Sequence, residues 1–401
     1  MYTPGRSFSV DLVCPQRAFH RAGLPWMTPG LAVGMTDTTA TPDQRWMQCA
    51  LDLAAQGRFT PRPNPMVGCV LVKDGQVVGE GWHQRAGEPH AEVHALRMAG
   101  ALAAGSTAYV TLEPCSHQGR TPPCANALIA AGISRVVAAM VDPDPRVAGS
   151  GLARLREAGI EAESGVLEAG SRELNCGFLS RIERGRPWVR MKIAMSLDGK
   201  VALADGSSKW ITGRAARADG HQWRARAGVI LTGVGTVIAD DPQLTVRVDE
   251  ECAPTVPVIV DSRGRCPAEA KVFALHEQVW LAGRSMADAG GTKCPASARI
   301  LELPAAQDGR ANLPALMVAL AQEQINEIHV EAGPELNASL LRAELVDELL
   351  FYQAGKFLGE QALSALPLLS PRSIPEGEWM LVQAEALAGD CFTRWQRIAG
   401  S

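Results

Sequence analysis

His90-Ala91-Glu92, Pro114-Cys115 and Cys124 restrict the fold of this chain more than any other residues. Two thiols, an imidazole and a carboxylate are the donor set of a water-activating zinc site. There, three protein ligands hold the metal and the fourth position is left to water. Such a water loses its proton near neutral pH. Two thiolates and a neutral imidazole balance the double charge of the ion. The three ligands come from separate stretches, so the fold must bring those stretches to one point.

The local pattern supports that convergence. Thr107–Leu112 (T-A-Y-V-T-L) reads as a buried strand that Glu113-Pro114 ends. Pro122-Pro123 sets up a helix from Cys124 to Ala131, and His90 opens the helix H-A-E-V-H-A-L-R-M-A-G. Two of the three ligands thus start helices, where the dipole favours anions and lowers thiol pKa values. Glu92 stands two positions past His90, roughly 200° round a regular helix. Both can face one ion only if it lies off the helix end. His94 reads as a packed or hydrogen-bonded helix residue. A fourth ligand from His94 or His117 would make the site structural rather than catalytic. The pattern H-x-E…P-C-x-x-C marks zinc deaminases, whose Glu is an acid/base and not a ligand. Here eight residues, Ser116 to Pro123, separate the cysteines instead of two. The longer loop costs little extra closure entropy.

At 401 residues the chain is too long for one ordinary core, and two domains are expected. No apolar run is long enough to span a bilayer. A net charge of −4 argues against a nucleic-acid partner, which leaves a basic footprint. The ten cysteines are scattered over both halves and read as reduced thiols of a cytoplasmic enzyme. Residues 1–41 read as a disordered extension, a transit peptide, or the product of a start placed too early, with Met27 or Met35 as the true start.

An α/β fold is expected in both halves. From Pro42 to about Ser180, helix Asp43–Gln56 precedes strand Met66–Lys73, the turn Lys73-Asp74-Gly75 and strand Gln76–Trp82. Strand Arg135–Val141 and helix Gly151–Ala158 continue the alternation, which suggests an α/β/α sandwich over residues 42–185. Arg184-Gly185-Arg186-Pro187 reads as a linker. In 186–401, strand Trp188–Ala194, helix Arg214–Arg226, strand Gly228–Leu231 and strand Glu327–Val330 form a second α/β unit. Its strand–glycine–helix starts at Gly233–Thr236 and Glu331–Pro334 present free amides to a phosphate. Each alone reads more readily as a plain turn; the two in one domain bring dinucleotide binding level with that reading.

The motifs N-P-M-V-G (Asn64–Gly68), G-E-G-W-H (Gly79–His83), P-H-A-E-V-H-A-L (Pro89–Leu96) and T-L-E-P-C-S-H-Q-G-R-T-P-P-C (Thr111–Cys124) carry a family resemblance. So do K-I-A-M-S-L-D-G-K (Lys192–Lys200), K-W-I-T (Lys209–Thr212), G-T-V-I-A-D-D-P-Q-L-T-V-R (Gly235–Arg247), D-S-R-G-R (Asp261–Arg265) and E-A-G-P (Glu331–Pro334). In this order they resemble the bacterial bifunctional riboflavin-biosynthesis deaminase–reductases, over roughly residues 42 to 395. The long cysteine spacing is that family's own form.

The resemblance implies a cytidine-deaminase-like N-terminal domain and a dihydrofolate-reductase-like C-terminal domain. The first would hydrolyse the 2-amino group of 2,5-diamino-6-(5-phospho-ribosylamino)pyrimidin-4-one. The second would reduce the ribosyl C1′ with NADPH to a ribityl chain. Zinc would sit on His90, Cys115 and Cys124, with Glu92 as the acid/base. Asn64 and His83 match base or ribose contacts, with capping or packing an equal reading for His83. Lys192, Asp240 and Glu331 would surround the reducing centre, although a plain ion pair remains open. Ser208, Arg224, Leu244 and Arg247 match further substrate positions. Ala194, Trp210, Thr236, Asp240 and Ser262 match cofactor positions, with the turn Gly333-Pro334-Glu335 under the pyrophosphate. Arg263 or Arg265 would favour NADP over NAD. Relatives with this reductase fold tend to pair subunits, so a homo-oligomer (dimer or tetramer) is expected. The alternative reading is an RNA or nucleoside deaminase with an accessory C-terminal domain.

Overall fold

A computed structural model describes residues 40–117, 122–145, 147–207, 210–283, 295, 297–304, 306, 309–366 and 379–398. Most of the predicted extension, and Ser208, lie outside the described residues. Two compact units emerge, one from 40–61 and 66–175, the other from 62–65 and 176–398.

The first unit contains α1 (Pro42–Ala54), β1 (Gly68–Lys73), β2 (Gln76–Trp82), α2 (Ala91–Ala99), β3 (Thr107–Val110), α3 (Cys124–Ala130), β4 (Arg135–Ala138), α4 (Ser150–Glu157), β5 (Glu161–Ser164) and α5 (Glu168–Leu174). A capping box starts α1: Gln44 N donates to Thr41 Oγ1 at 3.2 Å and Thr41 N to Gln44 Oε1 at 2.9 Å. The β1–β2 hairpin turns on Asp74 and Gly75, both with positive φ. The sheet order is β2-β1-β3-β4-β5, antiparallel across β1 and parallel from β3 to β5. Alternation along the strands divides the core. Cys69, Leu71, Val136 and Ala138 pack with α2, α3 and α4, whereas Val70, Val72, Val137 and Ala139 pack with α1. The result is the expected three-layer sandwich. Gly79 and Gly81 let α2 lie against β2: a Cβ on them would stand 2.2 Å from Ala95 O and 2.4 Å from Ala91 O. The G-E-G motif therefore seats the helix that begins beside His90.

The second unit contains α6 (Cys176–Arg184), β6 (Trp188–Ser196), β7 (Lys200–Ala202), α7 (Arg214–Arg226), β8 (Val229–Gly233), α8 (Val234–Asp240), β9 (Val256–Val260), α9 (Lys271–Leu275), β10 (Val279–Gly283), β11 (Ala298–Glu302), α10 (Leu313–Gln322), β12 (Glu327–Val330), α11 (Pro334–Arg342), β13 (Glu348–Ala354), β14 (Leu363–Ser364), β15 (Trp379–Leu387) and β16 (Asp390–Arg397). Nine strands run in the order β11-β10-β9-β8-β12-β6-β13-β16-β15, parallel from β11 to β13. Helices α10 and α11 cover one face and α8 and α9 the other. Both faces are buried, so strands such as V-P-V-I-V are apolar throughout rather than alternating.

The units divide before α6, not at the polar Arg184–Pro187 break. The reason is that α6 belongs to the second core. A Cβ on Gly177 would stand 2.2 Å from the Glu327 side chain, and Arg181 donates to Asn326 Oδ1 at 2.6 Å. Beneath it, Glu327 takes Arg190 at 2.7 Å and Arg226 at 2.9 Å, and Glu348 takes Arg394 at 2.9 Å and also Arg190. Glu327 and Glu348 begin β12 and β13, so this buried ionic group lies towards the amino ends of the strands.

Candidate functional site

His90 is the N-cap of α2, with extended backbone (φ −75°, ψ 169°). It therefore escapes the helical spacing that would turn it away from Glu92. Cys124 is the first residue of α3. Cys115 is held beside it: Ala125 N donates to Cys115 O at 3.1 Å and Cys124 N to Cys115 Sγ at 3.3 Å. His90 Nδ1 lies 3.7 Å from Cys115 Sγ and 3.3 Å from Cys124 Sγ. The three ligand atoms lie within 4.8 Å of one another, and neither His94 nor His117 joins the group.

The electrostatics suit a divalent cation. Hydrogen bonding from Cys124, then from His90, holds the Cys115 thiol down to about 4 against burial. The Cys115 contact, burial and the Glu92 carboxylate push Cys124 upward. One thiolate is stabilised and a second is opposed, so both ionise together only with a cation between them. Glu92 is buried, and its Oε2 has no hydrogen-bond partner. Burial pushes its carboxyl upward while His90 opposes the shift. A carboxyl raised in this way holds a proton more readily than an ordinary carboxylate, which suits an acid/base. The donor set and the orphaned oxygen fit zinc with a water in the fourth position.

His83 stands edge-on to His90, with ring centroids 5.1 Å apart. Burial pushes it down to about 4, so it is neutral. Its Nδ1 is 3.2 Å from Pro89 O, which can only accept, and Nδ1 therefore carries the proton. Asn64 falls in the Arg62–Pro65 segment of the second unit, not in the unit that carries His90.

In the second unit a cleft of about 1750 Å³ opens at the carboxyl ends of the parallel strands. Ala194, Trp210, Thr236, Asp240, Ser262, Gly333, Pro334 and Glu335 line it, as do Lys192, Arg224, Arg247 and Glu331. Gly333 N donates to Thr236 Oγ1 at 3.1 Å, which joins the two glycine turns. They leave β8 and β12, adjacent strands whose chains continue to opposite sides, the place where parallel sheets bind ligands.

At the floor of the cleft Arg224 holds Glu331 through two bonds, at 2.5 and 2.8 Å, and donates to Thr245 O at 2.8 Å. Lys192 Nζ is 3.9 Å from Glu331 Oε2. Burial alone would raise the Glu331 carboxyl, but Arg224 and Lys192 hold it well below the usual range. Arg224 is thus committed to protein partners, whereas Arg247 is exposed. Leu244 lies apart from the cleft lining. It is buried among Ile230, Val234 and Val237. Its left-handed backbone (φ 51°) turns the side chain into the core.

Three residues were not singled out by the sequence. Glu113 was read only as a strand terminator. His221 lies i,i+3 from Arg224 on α7 and lines the same cleft, a spacing that could have revealed it. His329 is fully buried with Nε2 3.2 Å from Glu331 Oε1, and no periodic signal marks it.

Residues 187–391 match the family model described as the RibD C-terminal domain, and 40–140 match the cytidine and deoxycytidylate deaminase zinc-binding region. Riboflavin biosynthesis protein RibD of Escherichia coli (strain K12) is 50% identical over 339 residues, covering 81% of this chain and 91% of that protein. The chain belongs to the RibD family. The RibD protein of Haemophilus influenzae is 47% identical over 365 residues, covering 88% of this chain and 96% of that one. The solved structure of Acinetobacter baumannii RibD superposes with TM-score 0.81 at 44% identity, covering 89% and 99% of the two chains. A deaminase/reductase structure from Thermotoga maritima gives 0.80 at 32%, with the same coverage. As a RibD-family member this is a bifunctional enzyme of riboflavin biosynthesis. Its zinc deaminase has a cytidine-deaminase-like fold, and its NADPH-dependent reductase is dihydrofolate-reductase-like. The match over 187–391 excludes an unrelated accessory domain.

Proposed function

We propose that the deaminase unit hydrolyses the 2-amino group of 2,5-diamino-6-(5-phospho-ribosylamino)pyrimidin-4-one. The reductase unit then converts the ribosyl group to ribityl, giving 5-amino-6-(5-phospho-ribitylamino)uracil. The His90–Cys115–Cys124 cluster with Glu92 beside it carries the first half of this reading. Bound zinc supplies a water of lowered pKa. Glu92 moves two protons in turn: it takes one from the attacking water and passes it to a ring nitrogen, then takes one from the new C2 hydroxyl and gives it to the amino group, which leaves as ammonia as the C2 carbonyl forms. Neutral His83, fixed by Pro89, orients the base.

Bound NADPH supplies the hydride to C1′. Lys192, held against Glu331, is the proton-bearing group at the floor of the cleft. Arg247 takes the substrate phosphate because Arg224 is spent on Glu331. Ala194, Trp210 and Asp240 would hold the nicotinamide end of NADPH. Thr236 and the Gly333-Pro334-Glu335 turn would hold the pyrophosphate at the starts of α8 and α11, and Ser262 would lie at the adenosine end. Arg263 or Arg265, both exposed beside Ser262 in the cleft lining, would select the 2′-phosphate.

The working protein is a cytoplasmic homo-oligomer, dimer or tetramer. Its nine-residue edge strand β15 exposes Met380 and Leu381, which suits pairing between subunits, and no described helix is long and apolar enough to cross a membrane. Purified protein offered this pyrimidine phosphate, cytidine or tRNA should release ammonia from the first alone. Release from tRNA instead would contradict the reading.

A further inference from the structure

We infer that Glu113 is the positioning residue of the zinc site, a role that extends the zinc assignment above. It anchors the Pro114–Cys115 segment to the start of α4, a helix that supplies no ligand. Glu113 is buried, and its carboxylate accepts four backbone amides. Oε1 takes Gly151 N at 2.8 Å and Leu152 N at 3.1 Å. Oε2 takes Gly149 N at 2.8 Å and Asp142 N at 3.1 Å. Its own amide donates to Met140 O at 3.0 Å. One side chain thereby joins the exit of β3, the loop after β4 and the first turn of α4.

Two further contacts show that Cys115 is the beneficiary. A Cβ on Gly151 would lie 1.9 Å from Pro114 O, so the helix presses directly on the ligand segment. On the far side of Cys115, Ser116 Oγ meets Ser150 Oγ at 2.7 Å. Cys115 is thus clamped between two residues that both hold α4. The carboxylate answers the unsatisfied amides and the positive dipole end of α4. Glutamine has the same shape but would turn an NH2 group towards two of those four donors, leaving them unpaired.

Residues that orient metal ligands typically cost about 10–100-fold in metal affinity when lost. The test uses full-length Glu113→Gln and Glu113→Ala, with zinc content read during titration with a chelator. Glu113→Gln should surrender zinc at about 10–100-fold less chelator. NADPH oxidation on pre-deaminated substrate should stay at the wild-type rate in the same sample. Saturating zinc should restore deamination with an unchanged substrate KM. Hydrogen exchange of β3 and β4 in the zinc-free variant should match the zinc-free wild type. If Glu113→Gln keeps zinc as the wild type does, the inference fails. It fails equally if protection of β3 and β4 collapses, because Glu113 would then maintain the fold alone. Should Glu113→Ala not fold, the isosteric Gln variant decides.

Discussion

Arg224 grips Glu331 through Nε–Oε1 at 2.5 Å and Nη2–Oε2 at 2.8 Å, and so fixes the carboxylate that faces Lys192. Glu331 stays ionised because Arg224 and Lys192 outweigh burial. Arg224→Ala removes the larger counter-charge, so the Glu331 pKa rises. The acid limb of the reductase pH profile should move to higher pH. Misplacement of Lys192 should lower kcat about 100-fold. Steady-state NADPH oxidation across pH measures both, while ammonia release should be unaffected.

Glu92→Gln keeps the size of the side chain and removes the proton carrier. Deamination should fall by about 10²–10⁴-fold. Zinc content and reductase turnover should match the wild type, because His90, Cys115 and Cys124 are untouched. Metal analysis beside separate ammonia and NADPH assays gives all three readings.

His83 and His221 are both pushed down to about 4, first by burial. Between that value and the unfolded pKa near 6.5, the unfolded chain binds protons that the folded chain refuses. This share of stability is complete above pH 6.5 and is lost as pH falls towards 4. Urea midpoints should decline through that window, and His83→Gln with His221→Gln should flatten the decline.

Glu327 lies between Arg190 and Arg226, with all three side chains buried. Glu327→Gln leaves two guanidinium groups undercompensated. The cost should be about 3–5 kcal/mol. Calorimetry should show a lower melting temperature for the reductase transition, with KM for NADPH unchanged in protein that remains folded.

The zinc ligands were legible because histidine, cysteine and a following carboxylate have few joint uses at such spacing. The strands and helices were legible where period and turn residues agreed: Arg214–Arg226 and Glu327–Val330 match their expected bounds. Boundaries drifted where strand-like runs continue past the ladder, as in Thr107–Leu112, which pairs only to Val110. The packing of α6 with the second unit was not legible, because polarity marks exposure and does not show which core claims a helix. The burial of Leu244 was not legible, because its left-handed backbone decides where the side chain points. The Glu113 clamp was hidden because its partners are backbone amides, which no residue pattern displays.

The most direct test of the two-site account strips zinc with a chelator and follows ammonia release and NADPH oxidation separately. Ammonia release should stop and return with added zinc, while reduction of pre-deaminated substrate continues at its original rate. Ammonia release that persists in protein shown to be free of metal would contradict the account.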